Sequence, residues 1–352
     1  EIDSLFFNRQ FLGTTSLNAN WDDAGQNLNI ALTADRNHLR VIDVTGDFTP
    51  SNRAVDFNIR LSDFDLISLN PYVGDIANDL SGSAMVNMTL DGALDKPQLN
   101  GSINFFNGAA SISYLNTRYF TDDDVRIYRN NFYFDDFSAR DRAGNTATVN
   151  GSVSNSNLRD FYISLNIDAN NIECMNTASS DNEVFYGNFF GTGNVGISGS
   201  PQNISLTVNA STEANTELYL PLYNASEVVS SDFLTFISKE EEKEEADLPT
   251  PGKVSGLELE LEIDVTNDAQ VQLIFDPQVG DIIQTSGIGN VRIILDSDGD
   301  FRMFGDVVLS QGEYLFTLQN VINKKFKIEP GGKISFNGSP MNATVDLDAI
   351  YT

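Results

Sequence analysis

"LELELEIDV", residues Leu257 to Val265, alternates without a break: Leu257, Leu259, Leu261, Ile263 and Val265 take every second place, and Glu258, Glu260, Glu262 and Asp264 fill the gaps. Successive side chains of an extended strand point to opposite faces, so one face of this stretch is wholly apolar and the other wholly acidic. A helix of the same residues would mix the two sets on every face. The stretch reads as a β-strand with one dry side and one wet side.

The same two-residue period recurs along the chain. It appears at Val86, Met88 and Leu90, at Ile204, Leu206 and Val208, at Val271, Leu273 and Phe275, and at Val291, Ile293 and Leu295. Toward the C-terminus, Phe316, Phe326, Ile334, Phe336, Val345 and Leu347 recur on what read as successive strands. Turn signals separate the runs: "DDAGQN" near Ala24, "DRAGN" near Gly144, "DSDGD" near Gly299 and "SQGE" near Gly312. One turn is written twice, as "GISGSPQNISL" around Pro201 and "SFNGSPMNATV" around Pro340, with a looser copy, "LDGALDKPQLNG", that puts Gly92 and Pro97 in the same roles. The expected fold is all-β: a long single sheet of repeated antiparallel meander strands, because strands joined by short turns pair with their neighbours.

One segment departs from this period. Val228, Val229, Phe233, Phe236 and Ile237 approximate helical spacing after a candidate Ser226 cap, which predicts a short helix near 226–238. An acidic run and two prolines follow, which predicts a solvated linker from about residue 239 to 252. The chain therefore divides into a repeated β segment over 1–225, a helix and acidic linker over 226–251, and a second β segment over 252–352.

Composition removes several classes of function. A 352-residue chain that is 41% hydrophobic can bury a continuous core. Its net charge of −29 repels nucleic acid phosphates and anionic membrane surfaces, so no nucleic acid partner is expected. The lone Cys174 excludes an internal disulfide, and the lone His38 leaves no material for a hydrolytic triad or a histidine metal cluster. "GTGNVG" from Gly191 has the letters of a dinucleotide fingerprint but runs into a strand instead of opening a helix. "DSDGD" lacks the glycine and glutamate positions of a calcium loop, and "PGGKI" lacks the first glycine and the hydroxyl residue of a phosphate loop. No enzyme activity and no cofactor are expected. No apolar run approaches the roughly 18 residues of a spanning helix, and "EIDSLFFNRQ" does not read as a secretion signal, so any anchor or export signal is expected outside this stretch.

A sheet with one apolar face covers it by curling on itself, by closing into a barrel, or by holding an apolar ligand. The candidate functional residues are accordingly the apolar-face side chains named above.

The C-terminal third carries a specific likeness. "ELYLPLYNASEVVSSDFLTFI" and then "GDVVLSQGEYLFTLQNVINKKFKIEPGGKISFNGSPMNATVDLDAIY" resemble the TamB family of envelope proteins, with Gly305, Gly312, Tyr314, Phe316, Phe326, Ile328, Gly331, Gly332, Ile334, Gly338, Pro340, Ala349 and Tyr351 following the family's order. The likeness runs over about residues 216–352, and residues 1–215 share only the repeating pattern of the wider AsmA-like group. It implies a curled, taco-shaped sheet, a half-pipe whose apolar groove carries phospholipid acyl chains across the periplasm of a double-membraned bacterium and supports outer-membrane biogenesis. It also implies an inner-membrane anchor helix that is not in this stretch and a TamA-type outer-membrane barrel as partner. The residues alone leave alternatives open: a non-transporting β-solenoid scaffold or adhesin, an outer-membrane protein assembly factor, an outer-membrane barrel, or a polysaccharide-active β-helix.

Overall fold

The computed structural model describes residues 2–8, 10–73, 77–156, 159–181, 185–222, 257–276, 281–297, 300–318 and 322–351. The chain falls into two compact units, Glu1–Glu173 with Gly193–Ser205 and Cys174–Thr192 with Leu206–Thr352. The helix read near 226–238 and the acidic linker lie outside the described residues.

The first unit begins with β1 (Ile2–Phe7), β2 (Gln10–Asp22), β3 (Asn27–Arg36), β4 (Leu39–Thr49) and β5 (Ala54–Asp65). A 3-10 turn, Leu66–Leu69, and a one-turn helix α1 (Asn70–Val73) lead to β6 (Ala77–Ala93) and β7 (Lys96–Ile112). Each strand from β1 to β7 pairs antiparallel with the next. Two short strands, β8 (Thr117–Thr121) and β9 (Asp124–Tyr128), then share the long edge of β7, and β10 (Asn131–Arg140) pairs with both. The row continues through β11 (Thr146–Ser156) to β12 (Arg159–Thr177). β12, β13 (Tyr186–Ser200) and β14 (Asn203–Thr212) each run from one unit into the other.

The second unit continues with β15 (Glu217–Pro221), β16 (Leu257–Val265), β17 (Gln270–Asp276), β18 (Asp281–Leu295), β19 (Phe301–Leu318), β20 (Ile322–Ile328), β21 (Lys333–Gly338), β22 (Thr344–Asp346) and β23 (Ala349–Tyr351). β16 lies against one end of β18 and β17 against the other, and β20 and β21 divide β19 in the same way. A long strand carrying two short ones is thus the repeated device. β15 and β17 pair in parallel, a departure from the antiparallel meander.

The turn chemistry explains most connections. Pro201 and Gln202 join β13 to β14, and Pro340–Asn342 forms a 3-10 turn between β21 and β22. In "DRAGN" the Asp141 carboxylate accepts the backbone N–H groups of Ala143, Asn145 and Glu173 and the Asn145 side-chain amide, which locks the β10–β11 turn. Two expectations need correction. Pro97 lies inside β7, opposite Gly92, so the looser third copy turns at Leu94 and Asp95 instead. "SQGE" is not a turn: it sits inside β19, where a bulge lets Gln311 oppose Ser286 while Leu309 opposes Gly287. A Cβ at Gly312 would lie 2.7 Å from the Gln284 carbonyl oxygen, so glycine there reports close strand approach, not a reversal.

The short helical element was not legible as such. It follows β5 at "LISLNPYV", where Pro71 supplies a preset helical φ and the Asn70 side chain accepts the Leu80 N–H at 3.0 Å.

Candidate functional site

Strand register shows how the alternating residues add up. In the first unit Leu17, Leu32, Val44, Ile59 and Met88 stand opposite one another in turn on β2 to β6, and the row continues through Gly101, Ile127, Phe132, Val153 and Ile163. Every side chain in it is apolar. One residue aside, the other face presents Ser16, Thr33, Asp43, Arg60, Asn87, Ser102, Arg126, Tyr133, Ser152 and Ser164. Val86 and Leu90 belong to parallel apolar rows, Ala34–Ile42–Leu61–Val86–Ile103–Val125 and Ile30–Gly46–Phe57–Leu90–Leu99. The dry face is therefore continuous across the strands that carry Val86, Met88 and Leu90.

That face is only partly covered. Leu17 is 58% exposed, and Ile59, Met88, Leu90, Val153 and Ile163 are half-buried. The segment after β5 packs on it: Leu66 and Leu69 lie with Ala84, Val86, Ile103 and Phe105 in one cluster. β1 holds that segment from outside, with the Phe7 ring stacked 6.0 Å from Tyr72 and the Asn8 amide donating to the Ser68 carbonyl at 2.7 Å.

The second unit forms equivalent rows. Leu259 faces Leu295, which faces Phe301; Leu261, Ile293 and Met303 form the next row; Ile263, Val291, Gly305 and Phe336 the next; and Val265, Gly289, Val307, Ile334 and Val345 the last of this set. Toward the other end, Leu220, Leu273, Ile283, Tyr314, Phe326 and Tyr351 share a row. Here the face closes. Leu273, Val291, Ile334 and Phe336 are buried in one cluster with Ile283, Met303, Leu309 and Ile328, and Val271, Phe275, Ile293, Val345 and Leu347 pack against it. Strands on both sides of β18 and β19 reach the same cluster, so the dry face of this unit is covered across both strands.

The remaining residues read from sequence fall around that cluster. Leu259 and Ile263 are buried, while Leu257, Leu261, Leu295, Phe316 and Phe326 are half-buried. Ile204, Leu206 and Val208 lie half-buried on β14. Leu347 sits in the connection between β22 and β23, not on a strand. Met303 follows the same alternation and was not read from the sequence, Ile328 was read there only as part of the family likeness and not as a groove residue, and Leu309 adjoins the bulge that breaks the period.

The ion pairs across β16 to β21 lie on the outer face. Arg292 pairs with Glu260, Lys333 with Asp306 at 2.9 Å and Lys325 with Glu313 at 2.6 Å, all solvent-exposed pairs that water and salt screen. Among the described residues no group of His, Cys, Asp and Glu side chains is arranged to hold a metal ion. No described helix is long and apolar enough to cross a membrane.

The family model described as the TamB C-terminal domain matches residues 135–352, more than half of the chain and further toward the N-terminus than the likeness read from the C-terminal third. No curated protein and no solved structure matches the chain. With the all-β sheet that carries that match, the chain belongs to the TamB family of envelope proteins.

Proposed function

We propose that the dry face is a conduit for phospholipid acyl chains between the inner and outer membranes, acting without a catalytic residue in the periplasm. The unbroken apolar row from Leu17 to Ile163, which crosses β2 to β12 one residue aside from the polar row that runs from Ser16 to Ser164, carries this reading. Each methylene in water costs about 0.8 kcal/mol, so a 16-carbon chain crossing unaided would cost on the order of 10 kcal/mol. A continuous apolar face removes that cost, and the headgroup stays in solvent. Sliding along such a face needs no bond to form or break. A TamA-type outer-membrane barrel is the partner that the family suggests for the receiving end.

A second reading rests on the closed interior of the second unit, where Leu273 and Ile328 are 1% and 0% exposed. Faces that only bury one another make a scaffold for outer-membrane assembly and carry no lipid. Extraction and mass spectrometry of lipid co-purifying with the chain separates the two. The conduit reading expects phospholipid in near-stoichiometric amount, released by detergent without unfolding. Protein free of lipid after exposure to phospholipid vesicles would leave the scaffold.

A further inference from the structure

Along the inner face of β15 to β23 the described side chains are apolar, hydroxyl-bearing or glycine, with two exceptions. Lys324 shares its face of β20 with Phe326 and Ile328, and Asp281 shares its face of β18 with Ile283. Both lie at the same end. Lys324 stands opposite Phe316 on β19, and Asp281 directly precedes Ile282, which stands opposite Leu315. Their backbones are thus two strand spacings apart, about 10 Å, on either side of Phe316.

The inner face changes character over a short distance here. Ile328 is fully buried and Lys324, four residues away on the same strand face, is exposed. Between them lies an aromatic group: Tyr314 and Phe326 at 6.2 Å, Phe326 and Tyr351 at 5.6 Å, with the Lys324 ammonium 4.9 Å from the Tyr351 ring centre. Aromatic rings beside a lysine are what apolar interiors present where they meet water. Burial, a hydrogen bond to the Asp281 carboxylate and that carboxylate's charge push the Tyr314 hydroxyl up to about 12, so it stays a donor to Asp281. The other Asp281 oxygen, Oδ1, is buried without a hydrogen-bond partner among the described residues.

We propose, resting on the conduit reading, that this end receives the headgroup of an aminophospholipid, with its phosphodiester on the Lys324 ammonium and its own ammonium on Asp281. A chain lying over the half-buried rings of Tyr314 and Phe326 must leave its headgroup where the dry face ends, and the two charges there are complementary to a zwitterion. A phosphoglycerol headgroup would satisfy Lys324, leave Asp281 without a cation, and meet the repulsion of a chain of net charge −29.

The test incubates the full chain with vesicles of equal phosphatidylethanolamine and phosphatidylglycerol, re-isolates it, and measures bound lipid by mass spectrometry. The parent is expected to hold about three- to fivefold more phosphatidylethanolamine, the size of one weak ion pair. Asp281→Asn, which keeps an acceptor for Tyr314, should bring that ratio to about one, and Lys324→Gln should lower uptake of both lipids by a similar factor. Circular dichroism matching the parent shows that both variants are folded. A ratio unmoved by Asp281→Asn, or uptake unmoved by Lys324→Gln, overturns this inference and leaves the conduit standing. A parent that takes up neither lipid overturns the conduit as well.

Discussion

Ile263 on β16 stands directly opposite Val291 on β18, and both are buried, while one residue back Glu262 faces Arg292 in solvent. A single-residue step thus separates the dry interior from the wet surface, and a register slip would exchange them along the whole strand. The same row ends at Phe336, which is 7% exposed within the core cluster of the second unit.

Phe336→Asp therefore acts on stability before it can act on traffic. It removes a packed ring and places a carboxylate among Val291, Ile334 and Met303, at a cost of about 4 kcal/mol or more. Urea unfolding should show that loss, whereas Phe336→Leu should cost about 1.5 kcal/mol or less. Ile288→Ala is the control: Ile288 is 56% exposed, and the midpoint should shift by no more than about 0.5 kcal/mol equivalent. A Phe336→Asp protein as stable as the parent would mean that this interior is not packed.

Two glycines with similar backbone angles should respond differently to the same change. Gly305 has φ +120 and Gly331 has φ +103, but a Cβ at Gly305 would overlap the Asn290 carbonyl oxygen of β18, and one at Gly331 would meet open space. Gly331→Ala should cost about 1 kcal/mol from its backbone conformation alone. Gly305→Ala adds the clash and should cost clearly more, about 3 kcal/mol in thermal or denaturant melts. Equal losses would show that β18 and β19 do not approach this closely.

Asp141 sets a pH dependence. Burial alone would raise its pKa, but the hydrogen bonds from Asn145, Glu173 and Ala143 outweigh it and hold the carboxyl below the usual range. A depressed pKa contributes stability that is present above the unfolded value near 3.9 and is lost as pH falls through the folded value. Asp141→Asn should be less stable than the parent by about 2 kcal/mol at pH 7, with the gap narrowing below about pH 4. A gap constant from pH 7 to pH 3 would contradict the assignment.

The strands and their faces were legible because a period of two survives in the sequence wherever one side of a sheet is dry. "LELELEIDV" became β16 with the expected faces, and Val86, Met88 and Leu90 took their places in three neighbouring rows. What the alternation could not show is how far each row is covered. Leu273 and Leu90 read alike, yet Leu273 is buried in a cluster with residues as distant in sequence as Ile328 and Phe336 while Leu90 is half-buried, because such cover depends on long-range packing. Leu309 was hidden by the bulge at "SQGE", where the period breaks. The covering segment at Leu66 and Leu69 was hidden by its length, since one helical turn leaves too few residues for a 3.6 period to be read. Lys324 alternates correctly with Phe326, but a lysine on a dry face is visible as such only once register shows which side faces in.

The central claim is that acyl chains lie on the dry face, and photo-crosslinking within one pair of strands tests it most directly. A photoreactive amino acid at Ile59 or Met88, which face each other across β5 and β6, should capture phospholipid from vesicles. The same probe at Arg60 or Asn87, the adjacent pair on the wet face, should capture at least about tenfold less, because one step along a strand reverses the side chain. Equal capture at both pairs, or none at Ile59 and Met88 in folded protein, would contradict the conduit.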